Sequence, residues 1–191
     1  MGKKKILLIA PNLNGVTTGL NRIQPPLGLM LIATSLENAG HIVKIHDTAL
    51  EGWYTRKEIS SRGLVEIGQT DEEILNVIKD FNPSVVGISV LFSNLLSSAH
   101  NIARLAKKVN NQIITIIGGN HISNAVKDYE YNLIAKLPQL SNTITELEDK
   151  NLDYAVIGES DHAFLKVINN LAENKPITEL PGVVKRIEKE K

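Results

Sequence analysis

The residues able to do chemistry in this chain of 191 residues fall into short groups: Asn12-Leu13-Asn14, Ser89-Val90-Leu91-Phe92-Ser93, Gly118-Gly119 with His121 close behind, and Gly158-Glu159. Ser89 and Ser93 offer hydroxyls that can hold a ligand, or else end a strand and cap a helix. Gly118 and Gly119 leave the backbone bare, which suits a tight turn or the close approach of a flat, bulky group. Asn12 and Asn14 are turn formers by default. Leu13, Val16, Leu91 and Phe92 can form an apolar floor under such a group or serve as plain core. His121, alone beside a glycine turn, suits a hydrogen bond within its own loop. Glu159 and Asp161 sit where a helix begins, and capping accounts for them. His41, His46, His100 and His162 share no ligand spacing, so no metal-ion site and no catalytic group is assigned.

Charge and composition narrow the function further. Lys and Arg together number 21, as do Asp and Glu, so no global field draws in nucleic acid or an anionic membrane. The chain has no cysteine, which removes disulfides, thiolate zinc sites, a cysteine nucleophile and any cysteine-ligated iron–sulfur cluster within it. No apolar stretch is long enough to cross a bilayer or form a signal core, so a cytoplasmic location is expected.

These groups follow four apolar runs: Ile6-Leu7-Leu8-Ile9-Ala10, Val85-Val86-Gly87-Ile88, residues 113–117, and Ala155-Val156-Ile157. Strands buried on both faces read as continuous aliphatic runs, and an open α/β sheet takes its ligand beyond their carboxyl ends. Residues 41–46 supply another strand, and helices are expected over 27–39, after Pro25-Pro26, and over 71–82, before Pro83. Further helices follow Ser93 or Asn94, as candidate caps, and Asp161. Residues 11–26 read as a turn-rich loop, and 48–70 as a polar excursion over the sheet edge. Residues 123–150 read as a less regular region in which Pro138 divides two short helices. Residues 183–186 suit a last edge strand. The expected fold is α/β and doubly wound, flavodoxin-like or Rossmann-like, with a parallel five-stranded sheet, helices on both faces and right-handed crossovers. The whole chain, 1–191, reads as one domain with a core over about 5–174 and an extension over 175–191.

Familiar uses of this architecture fail at the strand ends. No G-x-G-x-x-G follows the first strand, no phosphate loop is present, and Ala10-Pro11-Asn12 lacks the acids of a phospho-acceptor receiver. The strand ends instead resemble cobalamin-binding domains, which carry D-x-H-x-x-G, S-x-x-x-[ST] and Gly-Gly after the first, third and fourth strands. Asn12-Leu13-Asn14 departs from the first signature, while Ser89 with Ser93 and Gly118-Gly119 match the other two.

Together with Pro25-Pro26-Leu27-Gly28-Leu29, Ala39-Gly40-His41, Asp47 and residues 153–159, the pattern resembles the amino-terminal domain of cobalamin-dependent radical S-adenosylmethionine enzymes. The resemblance implies cobalamin as cofactor and partner, with its nucleotide tail along Gly118-Gly119, held by the serine hydroxyls and flanked by Gly158-Glu159. With Asn14 where the cobalt-ligating histidine would stand, it implies base-off binding without a protein imidazole. It further implies methyl transfer to a substrate radical, or a related reaction, with the radical made by a following domain whose C-x-x-x-C-x-x-C motif holds a [4Fe-4S] cluster and S-adenosylmethionine. That domain is absent from this chain, which reads as an excised or stand-alone cobalamin module, not catalytic by itself. A nucleotide- or flavin-binding domain of the same topology stays open, as does an interaction module that has lost its cofactor.

Overall fold

The computed structural model describes residues 2–18, 20–60, 63–135, 148–158 and 160–185. Its centre is a six-stranded sheet built from β1 (Lys5–Ala10), β3 (Ile42–Asp47), β6 (Val85–Ser89), β7 (Ile114–Gly118), β8 (Tyr154–Val156) and β9 (Val183–Lys185), in the order β3-β1-β6-β7-β8-β9. The first five run parallel, and β9 pairs antiparallel with β8. The expected five-stranded parallel sheet is therefore present with an antiparallel edge added.

Side-chain alternation along β1 decides the layering. Ile6 and Leu8 pack with Leu29, Ile32 and Leu36 of α1 (Leu27–Asn38) and Val167 and Ile168 of α6 (Ser160–Ala172). Leu7 and Ile9 face the opposite way, onto Ile74 and Ile78 of α3 (Asp71–Phe81), Ile102 and Leu105 of α4 (Leu96–Val109), and Ile122 and Val126 of α5 (Asn120–Ile134). All four of these β1 side chains have no exposed surface. The sheet is doubly wound because each face of its central strands is apolar and each needs helical cover.

Local chemistry sets the helix limits. Pro26 precedes α1, and Gly40, at φ 86°, follows its Ala39 cap in the left-handed conformation that ends a helix. Thr70 and Glu73 form a capping box at the start of α3, and Asn82, left-handed at φ 47°, closes it before Pro83. The Thr70 hydrogen bonds that hold the Glu73 carboxylate also lower its pKa.

Three sequence expectations need correction. The segments read as a loop and a polar excursion contain a second, antiparallel sheet of β2 (Leu13–Val16), β4 (Arg56–Ser60) and β5 (Leu64–Ile67), with α2 (Thr48–Glu51) ahead of β4. Only Val65 and Ile67 of these strands are buried, so the apolar alternation is too brief to read, and β2 finds its partner far along the chain. The region after residue 123 starts as one continuous helix, α5; residues 136–147, including Pro138, lie outside the described residues. Neither Ser93 nor Asn94 caps α4 with its side chain: a 3-10 turn, Ser93–Leu95, leads into it, and Leu95 is the capping residue.

Candidate functional site at the carboxyl ends of the strands

Strand order reverses direction at β1, which has β3 on one side and β6 on the other. The helices that follow β1 and β6, α1 and α4 respectively, pack on opposite faces of the sheet, and a crevice opens at the switch. Its mouth, of about 310 Å³, lies between Pro11, Leu13, Pro25 and Leu27 on one side and Leu91 and Phe92 on the other. A deeper part, of about 80 Å³, runs down to Ile116, Gly118, Gly119 and Val156. Gly28, Leu29, Ser89 and Leu91 line both, so the two form one crevice.

The floor is made of backbone. Val90 N–H donates to the Gly118 carbonyl at 2.7 Å, and His121 N–H donates to the Val90 carbonyl at 3.2 Å. The Val90 backbone thereby lies against Gly119, where an added Cβ would come within 2.5 Å of the Val90 oxygen. Gly119 also holds φ 111°, which side chains rarely adopt. Ser123 ties the turn to the next strand, its hydroxyl donating to the Gly119 carbonyl at 3.1 Å and accepting from Gly158 N–H at 3.0 Å.

The walls are largely apolar and partly bare. Phe92 is 67% exposed, Leu27 66% and Leu91 49%, clustered at the rim of one opening. Gly28, in the first turn of α1, has nothing within 4 Å of where a Cβ would stand, so its missing side chain leaves free volume inside the crevice.

The sequence-predicted residues are distributed unevenly around this crevice. Leu13, Ser89, Leu91, Phe92, Gly118 and Gly119 line it. Asn12 does not: it is buried under the small sheet, where its amide donates to Glu66 Oε1 at 3.1 Å and the Gln69 carbonyl at 2.9 Å. Asn14 is a strand residue of β2 whose side chain donates to the Asn94 carbonyl at 2.5 Å, while Asn94 donates back to the Asn14 carbonyl at 3.3 Å. This exchange clamps the wall carrying Leu13 to the loop carrying Leu91 and Phe92. Ser93 is exposed on the 3-10 turn and does not line the crevice, and neither do His121, in the first turn of α5, or Gly158, exposed at φ 82°. Glu159 lies outside the described residues.

Sequence reasoning missed Arg22, Gly28, Leu29 and Phe164 as lining residues. Pro25-Pro26-Leu27-Gly28-Leu29 was a usable signal, since a helix that opens with Pro and an early Gly brings bare backbone to the strand ends. Phe164 carried none, because a phenylalanine on an apolar helix face reads as core. Asp47 lines the mouth but accepts from Leu50 N–H at 2.9 Å to cap α2. Away from the crevice, His100 Nδ1 lies 2.6 Å from Asp149 Oδ2. Burial pushes the Asp149 pKa up, but bonds from His100 and Asn151 outweigh it and hold the pKa below its ordinary value, as expected of an anchor between α4 and the strand β8 approach. Among the described residues no three His, Cys, Asp or Glu side chains gather to hold a metal ion, and no helix is long and apolar enough to cross a membrane.

In a doubly wound domain the crevice at the switch point, beyond the carboxyl ends of the strands, is the place where a ligand binds. The chain is a member of the B12 binding domain family, which it matches over residues 14–135. It is 33% identical over 184 residues to cytidylyl-2-hydroxyethylphosphonate methyltransferase of Streptomyces wedmorensis, aligning with 96% of this chain and 31% of that protein. It is 24% identical over 180 residues to hopanoid C-3 methylase of Methylococcus capsulatus, across 94% of this chain and 28% of that one. It thus spans about a third of the length of these relatives. Its fold is shared with the methanol:cobalamin methyltransferase complex MtaBC of Methanosarcina barkeri, at a TM-score of 0.50 and 11% identity, over 94% of this chain and 50% of that one.

The floor and the α1 wall respond differently to an added methyl group. Gly119→Ala is expected to destabilise the fold by more than about 1 kcal/mol in urea denaturation, through its positive φ and its contact with Val90. Gly28→Ala is expected to leave stability unchanged or raise it by up to about 1 kcal/mol, since alanine is the better helix former.

Proposed function

We propose that this domain binds cobalamin with the nucleotide tail drawn into the crevice and the corrin over its mouth, and presents it to a radical S-adenosylmethionine domain for methyl transfer. The observation that carries the reading is the continuity of the crevice from an apolar rim to a floor of bare backbone. The residues fit the group. Leu27, Leu91 and Phe92, with half-buried Leu13, supply an apolar rim for a macrocycle, and Gly28 leaves room for a tail between α1 and the sheet.

When bound, cobalamin supplies a cobalt centre that can carry a methyl group; the chain's own residues bind, orient and exclude water. Ser89 carries the one hydroxyl among the described lining residues and would hold the tail through it. The Asn14 and Asn94 exchange holds the two rim walls at a set spacing and commits the Asn14 side-chain nitrogen to that clamp. Radical formation is assigned to a separate domain because this chain has no cysteine to hold a cluster.

Absorbance titration tests the reading. Hydroxocobalamin is expected to bind the wild-type chain, and Gly28→Trp, which fills the crevice from a helix position without strain, is expected to abolish binding while circular dichroism stays unchanged. Tight binding by the folded Gly28→Trp protein, or retention of a flavin spectrum in place of a corrin one, would overturn it.

Electron paramagnetic resonance of the bound cob(II)alamin form is expected to lack axial nitrogen splitting. A clear single-nitrogen pattern would mean that the tail base or a histidine ligates the cobalt.

The isolated chain is expected to show no S-adenosylmethionine cleavage after reconstitution with iron and sulfide, even when loaded with cobalamin. Product formation, followed as 5′-deoxyadenosine, would refute the assignment of radical chemistry to another domain.

A further inference from the structure

The crevice has a pronounced asymmetry of charge. In its deeper part the only polar side chain among the described lining residues is Ser89. At the mouth there is one cation, Arg22, and one anion, Asp47, whose carboxylate is already engaged in capping α2. Among the described residues no ion pair engages the Arg22 guanidinium, which is exposed.

Arg22 is held in place by the residue before it. The Asn21 side chain accepts from Val16 N–H at 3.0 Å and donates to the Val16 carbonyl at 2.9 Å, so it pairs with the last residue of β2 in the manner of a neighbouring strand. Pro25 and Pro26 stiffen the chain on the other side. The segment carrying Arg22 is thereby fixed at both ends beside the opening.

We propose that Arg22 holds the phosphodiester of cobalamin's nucleotide tail at the mouth of the crevice, an assignment that rests on the cobalamin reading above. The tail carries one charge, the negative charge of its phosphodiester; its base, ribose and amide linker are neutral. An unpaired anion in an apolar crevice carries a heavy desolvation cost, so the phosphate stays where a cation and water can reach it while the base goes deeper. Two helix starts compete for the anion, and both offer only neutral donors that are partly committed: at α5 His121 N–H goes to the Val90 carbonyl and Ser123 N–H to that of Gly119, and at α1 Leu27 N–H goes to the Pro25 carbonyl and Met30 N–H to that of Pro26. A guanidinium suits a phosphate oxygen pair through its fork of N–H donors.

The decisive comparison is between hydroxocobalamin and diaquacobinamide, which has the same corrin but lacks the nucleotide tail and its phosphate. Arg22→Gln is expected to weaken hydroxocobalamin binding about tenfold, the scale of one hydrogen bond to a charged group, and to leave cobinamide binding unchanged within about twofold. Raising the salt concentration is expected to weaken cobalamin binding to the wild type more than to Arg22→Gln. Equal losses for the two corrinoids, or no loss for cobalamin, would overturn the assignment of Arg22 while leaving the cofactor reading intact; the latter result would fit an anionic substrate as the partner of Arg22. Failure of the wild type to bind either corrinoid would overturn the cofactor reading and this assignment with it.

Discussion

The contact on which the site depends is the one between the Val90 backbone and the Gly118-Gly119 turn. Parallel strands bring the ends of β6 and β7 side by side, with Ser89 opposite Gly118 in register. Beyond that point the chains would diverge into their helices, and two further hydrogen bonds through Val90 keep them together. The contact needs a residue without Cβ at 119, because any side chain there would overlap the Val90 carbonyl. From this crossing follow the flat floor, the start of α5 at Asn120 and, through Ser123, the position of the β8 end. The deep crevice is apolar because the side chains that line it belong to the core, Leu8, Ile32, Ile116, Val156 and Phe164 among them.

Polar interactions instead work behind the walls. Glu66 Oε1 accepts from Asn12 and from the Ser98 hydroxyl, and Gln69 Oε1 lies 2.6 Å from His46 Nε2. These bonds join the small antiparallel sheet to β1, β3 and α4, so the wall bearing Leu13 is fixed relative to the strands. A buried network of this kind gives rigidity when its members are satisfied. Asn12 Oδ1 is the exception, buried without a hydrogen-bond partner in the structure, and it marks a small cost carried at the junction of the two sheets. The domain thus separates two tasks: its hydrogen bonds hold the shape, and its exposed leucines and Phe92 offer contact area.

The main sheet was legible because burial on both faces leaves no ambiguity. The Val85–Ser89 strand falls where its aliphatic run predicts, and β1, β3 and β7 deviate by a residue at their ends. Ser89 and Gly118-Gly119 were legible for the same reason, since a residue just past a buried parallel strand must lie at the carboxyl edge. Asn12 and Asn14 were misplaced because loop-forming residues gave no sign of β2. That strand exists only through its pairing with β5, some fifty residues later. Ser93 lies outside the crevice for a different reason: it opens the 3-10 turn Ser93–Leu95 and is exposed there, four residues past Ser89.

The amino-acid sequence alone determined the doubly wound sheet, the absence of thiol ligands and the bare backbone at the strand ends, because each is a property of residue type and local period. Tertiary structure decided which of those strand-end residues share a cavity. Gly28 and Phe164 enter it from helices on the far side of β1, Arg22 arrives through the Asn21 link to β2, and Asn14 turns to clamp the rim. Such groupings depend on pairings between distant segments. Their cost is chain entropy and their gain is burial at the junction of the two sheets, a balance struck only once the whole domain is assembled.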